Sequence, residues 1–193
     1  FHGTLIYADK LWSKNIHMAA VQHLHNITLE DVIENLDVDG FPWHHPERSY
    51  LDITDPKAWW QYVNKLFYNT YLRCGLKPGE AELMVPYLRE MILDIKNYRL
   101  YKQAKSTLSE LKQRGYNHIM VSNNYPELES LCESLGIAQY FDDFVVSALV
   151  GYEKPRKEIF DIALKRAGNP DICFMIGDNL IADIEGAKNV GIK

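Results

Sequence analysis

The chain has 193 residues, 47% of them hydrophobic and 24% charged, with a formal net charge of -5. That length can bury a substantial core, and the composition excludes disordered, collagen-like and disulfide-stapled classes. With no Lys/Arg block and an acidic balance there is no footprint for nucleic acid or an anionic membrane, so the expected partner is a small molecule. Cys74, Cys132 and Cys173 are widely spaced with no CxxC pattern, which points to reduced thiols and a cytoplasmic location. No apolar run approaches the roughly 18 residues of a membrane span, and no signal-peptide pattern is visible.

Phe1 to Ile6 look like the exit of a strand into a tight turn, with Gly3 permitting a conformation or close approach that other residues resist. Residues 11–98 then read as helical. Ile16, Ala19, Ala20 and Leu24 repeat at helical spacing, Thr28-Leu-Glu-Asp31 starts a short helix, and 37–55 form a long loop containing Gly40, Pro42, Pro46 and His44-His45. Asp55-Pro56 supplies a cap and first turn for a helix with Trp60, Val63, Phe67, Tyr71 and Cys74 on one face, which Gly75 ends. Pro78-Gly79-Glu80 opens another, carrying Ala81, Leu83, Met84, Leu88, Met91 and Ile92. His23 and His25 fall on different faces, which argues against a zinc site. Trp59, Trp60 and Phe67 read as core of this segment rather than a stacking platform.

From Tyr98 the pattern alternates: helix 101–113, strand 117–122, helix 125–135, strand 143–147, helix 156–167, strand 172–177, helix 180–190. The series predicts an α/β fold with a Rossmann-like parallel sheet. Residues 1–10 and 99–193 form that core, and 11–98 form an inserted all-helical cap over its crevice. Phe1-His-Gly-Thr opens in mid-motif and Gly191-Ile-Lys193 stops where another strand would begin, so a longer natural chain is expected.

Ligands of open α/β sheets sit beyond the carboxyl ends of the strands. The apolar run Ile172 to Ile176 stops at Gly177-Asp178, so Asp178 at the strand end and Asp183 in the following helix flank that crevice. Two such carboxylates suit magnesium, which keeps several waters and takes further ligands from substrate phosphate; the plain alternative is that Asp178 caps a helix. The strand His118 to Val121 ends in Ser122-Asn123, where a hydroxyl and backbone N–H groups can hold an anion, although both are also ordinary capping residues. Lys154, just before Pro155, falls near the same end if the preceding strand is parallel; otherwise it is a surface lysine. Gly3-Thr4 ends the first strand.

In order, Phe1-His2-Gly3-Thr4, Ser122, Lys154-Pro155 and Gly177-Asp178 with Asp183 resemble the four motifs of the haloacid dehalogenase-like superfamily, and the helical insertion is similar to its type 1 cap. The resemblance implies a magnesium-dependent hydrolase, a phosphatase of small phosphorylated metabolites, that forms an aspartyl-phosphate. It implies phosphate contacts from Gly3, Thr4, Ser122, Asn123 and Lys154, and Mg2+ held by Asp178, Asp183 and residue 2, whose backbone carbonyl can serve whatever its side chain. The nucleophilic Asp is expected immediately upstream of Phe1. His2 stands where the family has a second Asp, so the imidazole is expected to act as general acid and base, with turnover falling as pH rises. Carbon–halogen hydrolysis and a poorly active ligand- or partner-binding domain are the alternatives; a dinucleotide site is disfavoured, since no Gly-x-Gly-x-x-Gly follows a strand. Substrate selection is expected from the cap loop, chiefly His45 and Arg48, with His44, Tyr50, Tyr7 and Lys10 nearby.

Overall fold

The computed structural model describes residues 1–193. Strand β1 (Ile6–Tyr7) leads into α1 (Leu11–Gln22) through Lys10, which adopts a left-handed conformation at φ 51. Helix α2 (Leu29–Asn35) starts at a reciprocal capping box between Thr28 and Asp31. The long loop that follows contains three short 3-10 turns, so it is more ordered than its Gly/Pro content suggested. Asp55 caps α3 (Pro56–Arg73) by accepting from Ala58 N at 3.1 Å, with Pro56 in the first turn. At the head of α4 (Pro78–Leu93), Glu80 accepts from Lys77 N at 2.7 Å.

Strand β2 (Arg99–Leu100) pairs antiparallel with β1, so the helical insert leaves and rejoins the core through adjacent two-residue strands. Beyond it come α5 (Ala104–Gln113), β3 (Ile119–Ser122), α6 (Leu128–Ser134), β4 (Asp143–Val146), α7 (Ser147–Val150) and α8 (Lys157–Arg166). Strands β3 and β4 are parallel, in register from Ile119 opposite Asp143 to Ser122 opposite Val146. A Rossmann-like core with a helical insert is thus present, built on a small parallel sheet.

The chain departs from expectation at its last βα unit. Residues 172–177 are extended but form no strand: their backbone bonds only to Lys193, with Met175 N donating to Lys193 O at 2.8 Å and Lys193 N donating to Cys173 O at 3.2 Å. The two-residue alternation is nevertheless expressed. Cys173 and Met175 pack on a small cluster of Val145, Ile159, Phe160, Ala163, Ala187 and Ile192, while Ile172, Phe174 and Ile176 are 65%, 63% and 72% exposed. The expected helix at 180–190 is a π-helical turn (Leu180–Glu185) running into the short α9 (Gly186–Lys188).

One larger apolar cluster of 30 buried residues runs through both parts of the molecule, from Ile16, Trp59 and Phe67 in the insert to Met120, Tyr125 and Leu131 in the core. Polar ties reinforce it. Trp60 Nε1 donates to both Glu127 oxygens at 3.0 Å, Arg89 donates to Glu127 at 2.5 Å, and Tyr50 N donates to Gly151 O at 2.8 Å. As expected, Trp59, Trp60 and Phe67 are buried, whereas Leu83 is 65% exposed because it lies off the buried Ala81, Met84, Leu88 face of α4. No helix is long and apolar enough to cross a membrane.

Candidate active site

Four segments meet at the carboxyl end of β3. Lys154 is 6% exposed, which rules out the surface-lysine alternative. Its Nζ donates to Asp183 Oδ1 at 2.5 Å and to Val121 O at 3.0 Å. The other Asp183 oxygen accepts from Asn179 N at 3.0 Å. Asp183 therefore has both oxygens engaged and holds the lysine in place.

The side chain of Asn123 is tied to the backbone of Lys154. Its Nδ2 donates to Lys154 O at 3.0 Å and its Oδ1 accepts from Lys154 N at 2.7 Å, so the side chain clamps the lysine's own backbone. A planar amide bonded at both ends fixes a residue more firmly than one bond does. Asn124, which the sequence reading missed, takes the inward position. Its Nδ2 lies 3.4 Å from Ser122 Oγ and 3.4 Å from His2 Nδ1. Two consecutive Asn after a strand-ending Ser were the signal available.

On the other side, Thr4 Oγ1 donates to Asp178 Oδ1 at 2.8 Å, and Asp178 Oδ2 accepts no hydrogen bond within the chain. Both motif glycines are pressed against acids: a Cβ at Gly3 would lie 2.2 Å from Asp178 Oδ2, and one at Gly177 would lie 2.3 Å from Asp183 Oδ2. Phe1 is 8% exposed, and its carbonyl accepts from Leu5 N at 2.9 Å, which closes the turn that carries His2, Gly3 and Thr4.

His2 differs from expectation. Burial holds its imidazole below the usual histidine range despite the opposing pull of Asp178. At neutral pH the ring is uncharged, so it can accept a proton but not supply one. Its Nε2 is buried without a hydrogen-bond partner.

Glu153, also missed, is 2% exposed, and burial pushes its carboxyl from about 4.5 up to about 8, against the opposing effects of Ser147 and Lys154. The folded chain thus keeps this proton where the unfolded chain has lost it, so the stability linked to it is complete below about 4.5 and is lost as pH rises through about 8. In urea titrations Glu153→Gln should exceed wild type by on the order of 2–3 kcal/mol at pH 8.5, with the advantage vanishing near pH 5. A difference independent of pH would show that Glu153 holds no such proton.

His45 and Arg48 are not joined to these residues by any hydrogen bond or ion pair. His45 Nδ1 lies 3.2 Å and Arg48 Nε 3.5 Å from the same Glu47 oxygen, and the loop instead docks on the Lys154 segment through Tyr50 and through Arg156, which donates to Glu47 O at 3.3 Å. Tyr7 stacks obliquely on Tyr101 at 5.5 Å.

A buried lysine, a serine and an acid converging at a parallel sheet's carboxyl end make the kind of α/β site that can hold an anion. The sequence profile of the haloacid dehalogenase-like hydrolases matches residues 2–191. The chain belongs to that family. It is 40% identical over 98 residues to a glyceraldehyde 3-phosphate phosphatase of Methanothermobacter thermautotrophicus, covering 49% of this chain and 43% of that one. It is 30% identical over 135 residues to a phosphoserine phosphatase of Thermus thermophilus, covering 68% and 53%. Each match spans about half of the relative's length. Among solved structures, the HAD-hydrolase YfnB of Bacillus subtilis, bound to magnesium, is similar with a TM-score of 0.75 at 19% identity, over 100% of this chain and 83% of that one.

Proposed function

We propose that this protein hydrolyses small phosphate monoesters with the help of magnesium, using a carboxylate immediately upstream of Phe1 as nucleophile. The observation that carries the reading is the buried Lys154–Asp183 pair at the end of β3, beside Ser122, with Asn124 linking Ser122 to His2. Phosphatase relatives point the same way. An apolar strand ending in Asp ahead of Phe1 would run beside β3, whose only strand partner is β4.

The carboxylate attacks phosphorus and forms an acyl-phosphate as the P–O bond to the alcohol breaks and the departing oxygen takes a proton from solvent water; a second water then attacks the acyl-phosphate, regenerating the carboxylate and freeing inorganic phosphate. Lys154 and the Ser122 hydroxyl meet the phosphoryl oxygens, whose charge is spread in the transition state. Neutral His2 accepts the proton of the attacking water. No three His, Cys, Asp or Glu side chains stand close enough to enclose a metal by themselves. Magnesium nevertheless needs only one or two carboxylates when substrate phosphate and water complete its shell. Asp178, with its unengaged Oδ2, fits that sparse type and would hold the ion, while Asp183 reaches it through water. When bound, the ion neutralises phosphoryl charge. A small phosphorylated metabolite as partner and a cytoplasmic location belong to the same proposal.

The test is turnover of p-nitrophenyl phosphate by the full-length protein in magnesium and in excess chelator. Phosphate release that chelation abolishes and magnesium restores is expected. Undiminished release in chelator overturns the magnesium requirement, and halide release from a 2-haloacid under those conditions would establish dehalogenase chemistry instead.

A further inference from the structure

Two tryptophans in the insert are not sealed into its core. Trp12, at the start of α1 two residues beyond the hinge residue Lys10, and Trp43, in the 37–55 loop, are half-buried, whereas Phe41, Trp59, Trp60 and Phe67 are at most 3% exposed. Trp12 and Trp43 both rest on Phe41, at 4.9 Å and 4.7 Å between ring centroids, the second pair stacked at 12°. Trp12 also meets the ring of Tyr125 edge-on at 6.3 Å. Tyr125 follows Asn124, whose side chain touches Ser122 and His2. The rings thus lead from the insert to the turn where the phosphoryl group is held. Neither indole N–H has a hydrogen-bond partner in the chain, so each keeps a donor for a ligand.

Three of the nearby cations are already paired. Arg48 and His45 share Glu47, and Lys14 is paired with Asp9 at 2.6 Å. A substrate bearing a second charged group finds no unpaired cation among them; a planar, uncharged group finds two indoles.

We infer that Trp12 and Trp43 form a stacking platform for the leaving-group side of the substrate, selecting phosphate esters that carry an aromatic ring, such as nucleoside 5'-monophosphates. The inference rests on the phosphatase reading for the position of the phosphoryl group. Tyr125 and Phe41 act as buried supports that set the angle of the platform.

Adenosine 5'-monophosphate and ribose 5-phosphate share the same leaving oxygen and differ chiefly in the base, so their ratio of kcat/KM in full-length protein isolates the platform. Wild type should prefer the nucleotide by at least about ten-fold, the usual worth of one base stacked on an aromatic ring. Trp12→Leu and Trp43→Leu should each bring the ratio down several-fold, while Trp12→Phe and Trp43→Phe keep most of it. The Phe variants, and Trp43→Leu, cover the case in which Trp12→Leu fails to fold. A wild-type ratio near one, or Leu variants with the wild-type ratio, overturns the platform. If no phosphate ester is turned over, the phosphatase reading fails, and the platform is judged by equilibrium dialysis of the same two compounds with the same ratios.

Discussion

Replacing Lys154 by Ala should lower both turnover and stability, and by large amounts. The side chain is buried, and its ammonium bonds Asp183 at 2.5 Å and Val121 O at 3.0 Å. Removing one member of a buried ion pair leaves the other charge without a partner in a medium that solvates it poorly, at a cost of about 3–5 kcal/mol. The reacting phosphoryl group would lose its only buried cation, and loss of one such electrostatic contact slows turnover by about 10²–10³. The two effects separate in a double variant. Lys154→Ala with Asp183→Asn removes the stranded charge, so its urea midpoint should recover much of the way toward wild type while turnover stays low. A double variant as unstable as the sum of its single changes would show that the pair is not coupled. Recovery of turnover along with stability would remove Lys154 from the chemistry.

How much of this was legible beforehand depended on whether the signal was local. Thr28 with Asp31 and Asp55 with Pro56 act within one turn, and these two helices start where those residues stand. The order of Ser122, Lys154 and Asp178 along alternating elements was enough to bring them to one end of β3. Roles that depend on partners far along the chain were not legible. Nothing near Lys154 in sequence says that its charge is met by Asp183, or that Asn123 holds its backbone at both ends. Apolar alternation likewise placed Cys173 and Met175 inward correctly, but alternation does not provide a neighbour, and without one residues 172–177 stay extended and unpaired except at Lys193. The imidazole of His2 was expected to serve as general acid as well as base; burial outweighs Asp178 and favours the uncharged ring. Burial of an individual side chain is a property of packing, so neither that shift nor the one at Glu153 could be read from composition or spacing.

Gly3→Ala should abolish most turnover although it adds a single methyl group. Residue 3 has φ +76, where a side chain is strained by roughly 1–2 kcal/mol, and the new Cβ would lie 2.2 Å from Asp178 Oδ2, 2.5 Å from Cγ and 2.8 Å from Oδ1. No contact that close survives, so either the turn or the carboxylate must move. Asp178 is the softer of the two, since it is held within the chain only by the Thr4 hydroxyl, while Gly3 N is tied to Ile6 O at 2.9 Å and Leu5 N to Phe1 O at 2.9 Å. The carboxylate should therefore swing away, taking with it the proposed hold on magnesium. Misplacement by about an ångström is enough to lower turnover by about 10² or more. The signature is an increased magnesium requirement: half-maximal turnover should need far more of the ion in Gly3→Ala than in wild type. Adding Asp178→Ala to Gly3→Ala relieves the collision, so the double variant should regain the part of the stability lost to the clash but not the part lost to the backbone, and it should remain inactive. If Gly3→Ala keeps the wild-type magnesium dependence and turnover, the approach of Asp178 to residue 3 has no part in catalysis, and the ion is held elsewhere.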